Sequence, residues 1–204
     1  MTSVAVIDHG AGNLVSMERA LQRSGATVVI VDRATDLSDF DGVVLPGVGA
    51  TGPAMRTLRR TGLDRSLCEA ARPLLGVCVG MQLLFEHSLE DATACLGLLG
   101  GVVRPLAASP LPHMGWNDVV HDGAAPFTTV APSAPCYFVH SYAPLPDDEA
   151  VIAATTTYGS DRFVSAVRQG PIMGVQFHPE RSGSAGLAVL ADFVAMCGRD
   201  ARAA

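Results

Sequence analysis

The chain has 204 residues, 49% hydrophobic and 17% charged, which suits a single domain with a substantial core and is far from the signature of disorder. All 14 basic residues are arginines. This leaves no Schiff-base lysine, no GK[ST] phosphate loop and no lysine general base. A net charge of -6 also argues against a general nucleic-acid or anionic-membrane binder.

The elements follow in chain order. Residues 3–8 (SVAVID) read as a buried strand, followed by the turn His9-Gly10-Ala11-Gly12. Asn13 is placed to cap a helix running to about Ser24, with Leu14, Met17 and Leu21 on one face and Gly25 as its stop. Residues 27–31 and 42–45 are the next strands, and Pro53 fits the first turn of a helix. Residues 73–77 form a fourth strand, with a helix expected over 79–88. Strands and helices alternating at this spacing imply βαβ units and a mostly parallel sheet.

From Leu96 to Arg168 the strands come without helical pattern between them. Residues 151–157 and 163–167 flank Tyr158-Gly159-Ser160-Asp161, a hairpin turn. Residues 172–177 are another strand, and 184–196 an amphipathic closing helix. The fold class is therefore α/β: one domain over residues 1–204, with a mostly parallel central sheet flanked by helices and an antiparallel β extension.

No basic segment precedes an apolar run at the N-terminus, and the longest apolar run, Pro73 to Met81, is too short to span a bilayer. Five cysteines without a CxxC pair suit reduced thiols, so the expected compartment is the cytoplasm. Cys68, Cys95 and Cys197 sit in apolar stretches and are expected in the core. His9, His87 and His121 read as surface or structural.

Cys78 differs. Gly76-Val77-Cys78-Val79-Gly80 follows an apolar strand and opens a helix, the nucleophile-elbow pattern with cysteine in the serine place. Such a turn strains the nucleophile's backbone and sets its sulfur at a helix N-terminus, which favours a thiolate. The N–H of Val79 becomes an oxyanion donor. About 100 residues on, Gln176-Phe177-His178-Pro179-Glu180 ends a strand at the same predicted sheet edge. His178 can take the thiol proton and return it to a leaving amine, with Glu180 orienting the imidazole. Pro46-Gly47-Val48-Gly49 sits on that edge too and offers a second oxyanion N–H.

Two other chemistries fit less well. Gly47 to Gly52 matches G-x-G-x-x-G, yet it follows the third strand, Pro53 crowds it, and no acidic residue ends a strand about 20 residues on. His178-x-Glu180 resembles a zinc-deaminase H-x-E, but P-C-x-x-C is missing downstream: Pro135-Cys136 precedes it and Val139 replaces the second cysteine.

With Pro46-Gly47-Val48-Gly49, GVCVGMQ at 76–82 and GVQFHPE at 174–180 in order, the chain resembles the class I glutamine amidotransferases. Residues 7–14 (IDHGAGNL), 113–117 (HMGWN) and 137–142 (YFVHSY) make it similar to the glutaminase subunits of imidazole glycerol phosphate synthases, in histidine biosynthesis. The resemblance implies a catalytic Cys78, His178 and Glu180, an oxyanion hole at Gly49 and Val79, and glutamine contacts at Gly47, Gln82, Glu90, Ser141 and Tyr142. It implies a heterodimer with a (β/α)8 cyclase subunit that receives ammonia, and no cofactor or metal. Asn13, Trp116, Tyr137 and Arg181 become interface residues; Trp116 and Tyr137 otherwise read as ordinary aromatics with a satisfied polar tip. His113 and His140 lie in these segments without an assigned role. Three positions depart from the family: Val79 replaces the commoner leucine, His9 a tyrosine, and Arg181 a lysine. The alternatives are a glutaminase serving another synthase, such as that of pyridoxal phosphate synthesis, and a non-catalytic subunit of the same fold. The first usually carries Gly-Gly-Glu-Ser where this chain has Pro46-Gly47-Val48-Gly49; the second has no need of all three catalytic side chains.

Overall fold

In the computed structural model, which describes the backbone of residues 1–203 and the side chains of residues 1–198, the N-terminal half alternates strand and helix. It runs β1 (Thr2–Ile7), α1 (Leu14–Arg23), β2 (Ala26–Val31), β3 (Gly42–Leu45), α2 (Thr51–Thr61), α3 (Leu63–Glu69), β4 (Leu74–Val77) and α4 (Val79–Gln82). Strands then dominate: β5 (His87–Ser88), β6 (Thr93–Ala94), β7 (Gly101–Pro105), β8 (His113–His121), β9 (Ala134–His140), β10 (Tyr142–Pro146), β11 (Ile152–Tyr158), β12 (Asp161–Gln169) and β13 (Ile172–Val175). Helix α5 (Gly183–Ala203) closes the chain.

Nine strands form one sheet in the order β2-β1-β3-β4-β13-β12-β11-β8-β9. The first five are mutually parallel, and from β12 onward every pairing is antiparallel. Every residue of β3 and β4 is buried, because both faces of the sheet are covered at its centre; this is why they read as unbroken apolar runs. Helices α1 and α5 pack together against β1, β2 and β9, and α2 packs on α3. A smaller sheet, β10-β7-β5-β6, stands beside the large one. Arg104 on β7 grips Asp161 at the start of β12 with two bonds of 3.1 Å, and Ala107 N–H adds a third at 2.7 Å. Those bonds, Arg104's first, hold the Asp161 carboxyl below its ordinary range.

The antiparallel half curves back on the parallel half. The backbone N–H of His178, just past β13, donates to Tyr137 O of β9 at 2.9 Å, although the sheet order puts three strands between β13 and β9. The edge strand thus returns to the end of the central one.

Four expectations change. The helix expected over 79–88 stops at Gln82, and Leu83, Leu84 and Phe85, all fully buried, lie beyond it. Leu84 and Phe85 instead make tight turn bonds to Met81 and Gln82, and His87–Ser88 pairs with β6 and β7. Asn13 stands at the start of α1, but its side chain makes no capping hydrogen bond. Cys68 is exposed and Cys95 half-buried; only Cys197 of those three lies in the core. The closing helix also runs past Met196. The hairpin turn is found where expected, with Tyr158 paired to Asp161 across Gly159 and Ser160. Among the described residues, no helix is long and apolar enough to cross a membrane.

Candidate active site

Strands β3, β4 and β13 lie side by side and parallel, with Leu45 opposite Gly76 and Val77 opposite Val175. Their C-terminal ends therefore discharge Pro46-Gly47, Cys78 and Gln176-Phe177-His178 at one sheet edge, where open α/β sheets place their sites. Cys78 itself has φ 54° and ψ −110°, a conformation that L-residues rarely adopt. The turn is that tight because its backbone lies against β3: a Cβ on Gly80 would overlap the Leu45 carbonyl. One on Gly47 would come within 2.9 Å of Val79 Cβ and 3.0 Å of Gly80 N.

Sulfur, imidazole and carboxylate come together there. His178 Nδ1 lies 3.0 Å from Glu180 Oε1, and the two side chains are only 3% and 2% exposed. His178 Nε2 is buried and has no hydrogen-bond partner within range, so it is open to a proton from the cleft. Burial alone would lower this imidazole; the neighbouring Cys78 sulfur and then the hydrogen-bonded Glu180 carboxylate outweigh it and raise it to about 10. The histidine is thus set to hold a proton beside the sulfur. Gln176 Nε2 donates to Cys78 Sγ at 3.5 Å, and the Val139 carbonyl lies 3.9 Å from the same atom.

The cleft encloses about 450 Å³, open solvent included, and is lined by Gly49, Cys78, Val79, Gln82, Glu90, residues 139–142 and His178, with Val48 at its rim. Of the residues singled out in sequence, Gln82, Glu90, Ser141 and Tyr142 face it, while Gly47 is buried beneath Val79 and does not. Both Gln82 amide hydrogens are used, toward Tyr142 O at 3.0 Å and Gln176 Oε1 at 3.2 Å, leaving its carbonyl oxygen for a ligand. Glu90 Oε2 accepts Thr51 N–H at 3.1 Å at the start of α2, so this carboxylate is tied to a helix N-terminus.

Arg181, Tyr137 and Trp116 group outside the cleft. The Arg181 guanidinium lies 4.5 Å above the Tyr137 ring, and Trp116, 58% exposed, meets that ring edge-on at 6.2 Å. Asn13 is exposed at the start of α1, a helix that touches the Pro179–Arg181 turn.

Sequence reasoning did not single out Gln176, nor the pair His113 and His140. His140 Nδ1 bonds Tyr142 O at 2.8 Å, which makes it the donor; its Nε2 then accepts from His113 Nδ1 at 3.2 Å, and His113 Nε2 from Asn117 Nδ2 at 3.3 Å. Burial pushes both imidazoles down to about 4, so the chain runs through neutral rings. The signal for Gln176 was register: opposite Cys78 in a parallel pair, it had to lie beside the sulfur.

The family model for class-I glutamine amidotransferases matches residues 5–197. The chain is a class-I glutamine amidotransferase. It groups with the HisH subunits of imidazole glycerol phosphate synthase. That of Synechococcus sp. (strain JA-2-3B'a(2-13)) is 44% identical over 96% of this chain and 94% of the relative. That of Xylella fastidiosa (strain Temecula1) is 46% identical over 96% and 98%. Among solved structures, PurLQS from Thermotoga maritima superposes with a TM-score of 0.77 at 19% identity, over 95% of this chain and 98% of that one. A glutamine amidotransferase superposes at 0.76 and 21%, over 96% and 98%. At such identities the structures speak for the fold alone, a large mixed sheet flanked by helices and parallel at its core. The amidotransferase is thus related along nearly its whole length to one subunit of a two-component synthase.

Proposed function

We propose that this amidotransferase hydrolyses L-glutamine as the glutaminase subunit of imidazole glycerol phosphate synthase. Cys78 gives its proton to His178 Nε2 and attacks the side-chain amide carbon, forming a C–S bond and an oxyanion held by the N–H groups of Val79 and Gly49. As the tetrahedral centre collapses, the C–N bond breaks and His178 returns the proton to the leaving nitrogen, releasing ammonia and leaving a γ-glutamyl thioester. Water, deprotonated by His178, then attacks the thioester; glutamate leaves and the sulfur recovers its proton. Glu180 keeps the imidazole oriented and balances its charge. Gln82, Glu90, Ser141 and Tyr142 hold the amino-acid end of the substrate.

The observation that carries this reading is a strained Cys78 sharing one buried cleft with a His178–Glu180 pair at 3.0 Å. Ammonia in water at neutral pH is mostly ammonium, a poor nucleophile, so the product calls for a docked acceptor. That acceptor is a (β/α)8 cyclase subunit in a cytoplasmic heterodimer, with this chain as one amidotransferase domain and the Arg181–Tyr137–Trp116 group and Asn13 facing the partner. The cyclase then forms imidazole glycerol phosphate and an aminoimidazole carboxamide ribotide. In the assembled synthase, Cys78→Ala should abolish glutamine-dependent synthesis while synthesis from added ammonium continues. Surviving glutamine-dependent turnover overturns the thioester mechanism.

A further inference from the structure

We propose that Gln176 positions the Cys78 sulfur for attack, as the last donor of a hydrogen-bond chain anchored on the Tyr142 carbonyl; the proposal rests on the glutaminase reading above. The two ends of a glutamine amide are interchangeable in shape, and here their partners fix them. A backbone carbonyl only accepts, so the Gln82 atom 3.0 Å from Tyr142 O is its Nε2. The second hydrogen of that NH2 group points to Gln176 at 3.2 Å, which obliges Gln176 to turn its Oε1 toward Gln82. Only the NH2 end of Gln176 remains for Cys78 Sγ, and it lies 3.5 Å away.

The backbone enforces the same meeting. Val77 and Val175 pair across parallel strands, so positions 78 and 176 follow in step on neighbouring strands. Gln176 is fully buried and Gln82 3% exposed, so bulk water does not compete for these bonds. The anchor is held from a second side by His140 Nδ1, 2.8 Å from the same Tyr142 oxygen. Once the thiol proton has moved to His178, the sulfur carries charge in a buried site; an N–H donated to a charged acceptor is about twice as strong as one to a neutral acceptor. Gln176 thus restrains the sulfur most firmly in the state that attacks.

The test uses the assembled synthase with L-glutamine as substrate and iodoacetamide as thiol probe. Gln176→Met keeps the length and volume and removes the donor. The expected kcat for glutamine falls about 10- to 100-fold, as for a lost hydrogen bond to a charged group, with KM nearly unchanged. Alkylation of Cys78, followed on its own peptide by mass spectrometry, should become half-maximal at higher pH than in the parent. Gln176→Glu, the same shape with an acceptor in place of the donor, should show both effects at least as strongly, and it carries the test if the methionine variant fails to co-purify with the cyclase. Parental kcat in the folded variants overturns the proposal, as does a reduced kcat with an unchanged alkylation profile, since a packing role alone would give that. Cys78→Ala separates the two readings. If it retains glutamine-dependent turnover, the glutaminase reading fails; if it is inactive while the Gln176 variants behave as the parent, only this proposal fails.

Discussion

Replacing Cys78 by glycine should give a more stable protein than replacing it by alanine, the reverse of the usual order. At an unstrained position glycine is the weaker choice, by about 0.4–1 kcal/mol from unfolded-chain entropy and about 0.8 kcal/mol for the lost methyl group. At φ 54° and ψ −110°, any residue with a Cβ is strained. Such strain amounts to about 1–3 kcal/mol, and this ψ lies so far from the left-handed helical well that the upper figure applies. Setting about 3 kcal/mol of relief against about 1.5 kcal/mol of loss leaves about 1.5 kcal/mol in favour of glycine. For a chain of this size that corresponds to a melting temperature about 3–6 °C higher for Cys78→Gly than for Cys78→Ala. Calorimetry of the two variants in one buffer measures it, free of catalytic differences, since neither carries the thiol. An alanine variant melting at or above the glycine variant would show that no strain is stored at position 78, and the account of how the turn presents the sulfur would fall.

Two further outcomes test the periphery and the interior. Arg181→Ala removes an exposed cation–π contact, so the isolated chain should lose less than about 1 kcal/mol, whereas the ratio of glutamine- to ammonium-dependent synthesis in the complex should drop clearly; equal losses in both would remove Arg181 from the interface. His113 and His140 are held near 4, below the roughly 6.5 of an unfolded imidazole, so the unfolded chain takes up protons first. Stability should be level above about pH 6.5 and fall as the pH drops toward 4, and His140→Asn, which keeps a donor for Tyr142 O, should flatten part of that fall in melting curves. An identical acid slope in the variant would refute the neutral-imidazole chain.

The parallel half of the sheet was legible because its strands are short apolar runs bounded by turns, and β3 falls on the residues expected. The segment after Cys78 was not. Leu83, Leu84 and Phe85 look like one more helical turn, but burial on every side carries no periodicity that separates helix from turn. In the small sheet, β5 and β6 are two residues each, too short to show alternation. Glycine spacing around Cys78 pointed to the elbow since close backbone approach leaves a compositional mark. Gln176 left none: its place beside the sulfur depends on which residue of β4 faces which residue of β13, and register is a property of the pair. The exposure of Cys68 in an apolar stretch is the opposite case, where composition suggested a core that the packing of α3 does not provide.

The position of β13 has a consequence for how the protein comes into being. This strand, made from residues 172–175, comes last in chain order among the described strands, yet it enters the sheet at its middle, between β4 and β12. Until it arrives, β4 and β12 each carry an open edge that invites foreign strands. Cys78 is already in the chain by then, but the imidazole and the amide that share its cleft are not, because His178 and Gln176 travel with β13. On the proposed mechanism, reactivity at Cys78 therefore switches on with the step that seals the sheet, and a nascent chain carries the thiol without the groups that would activate it.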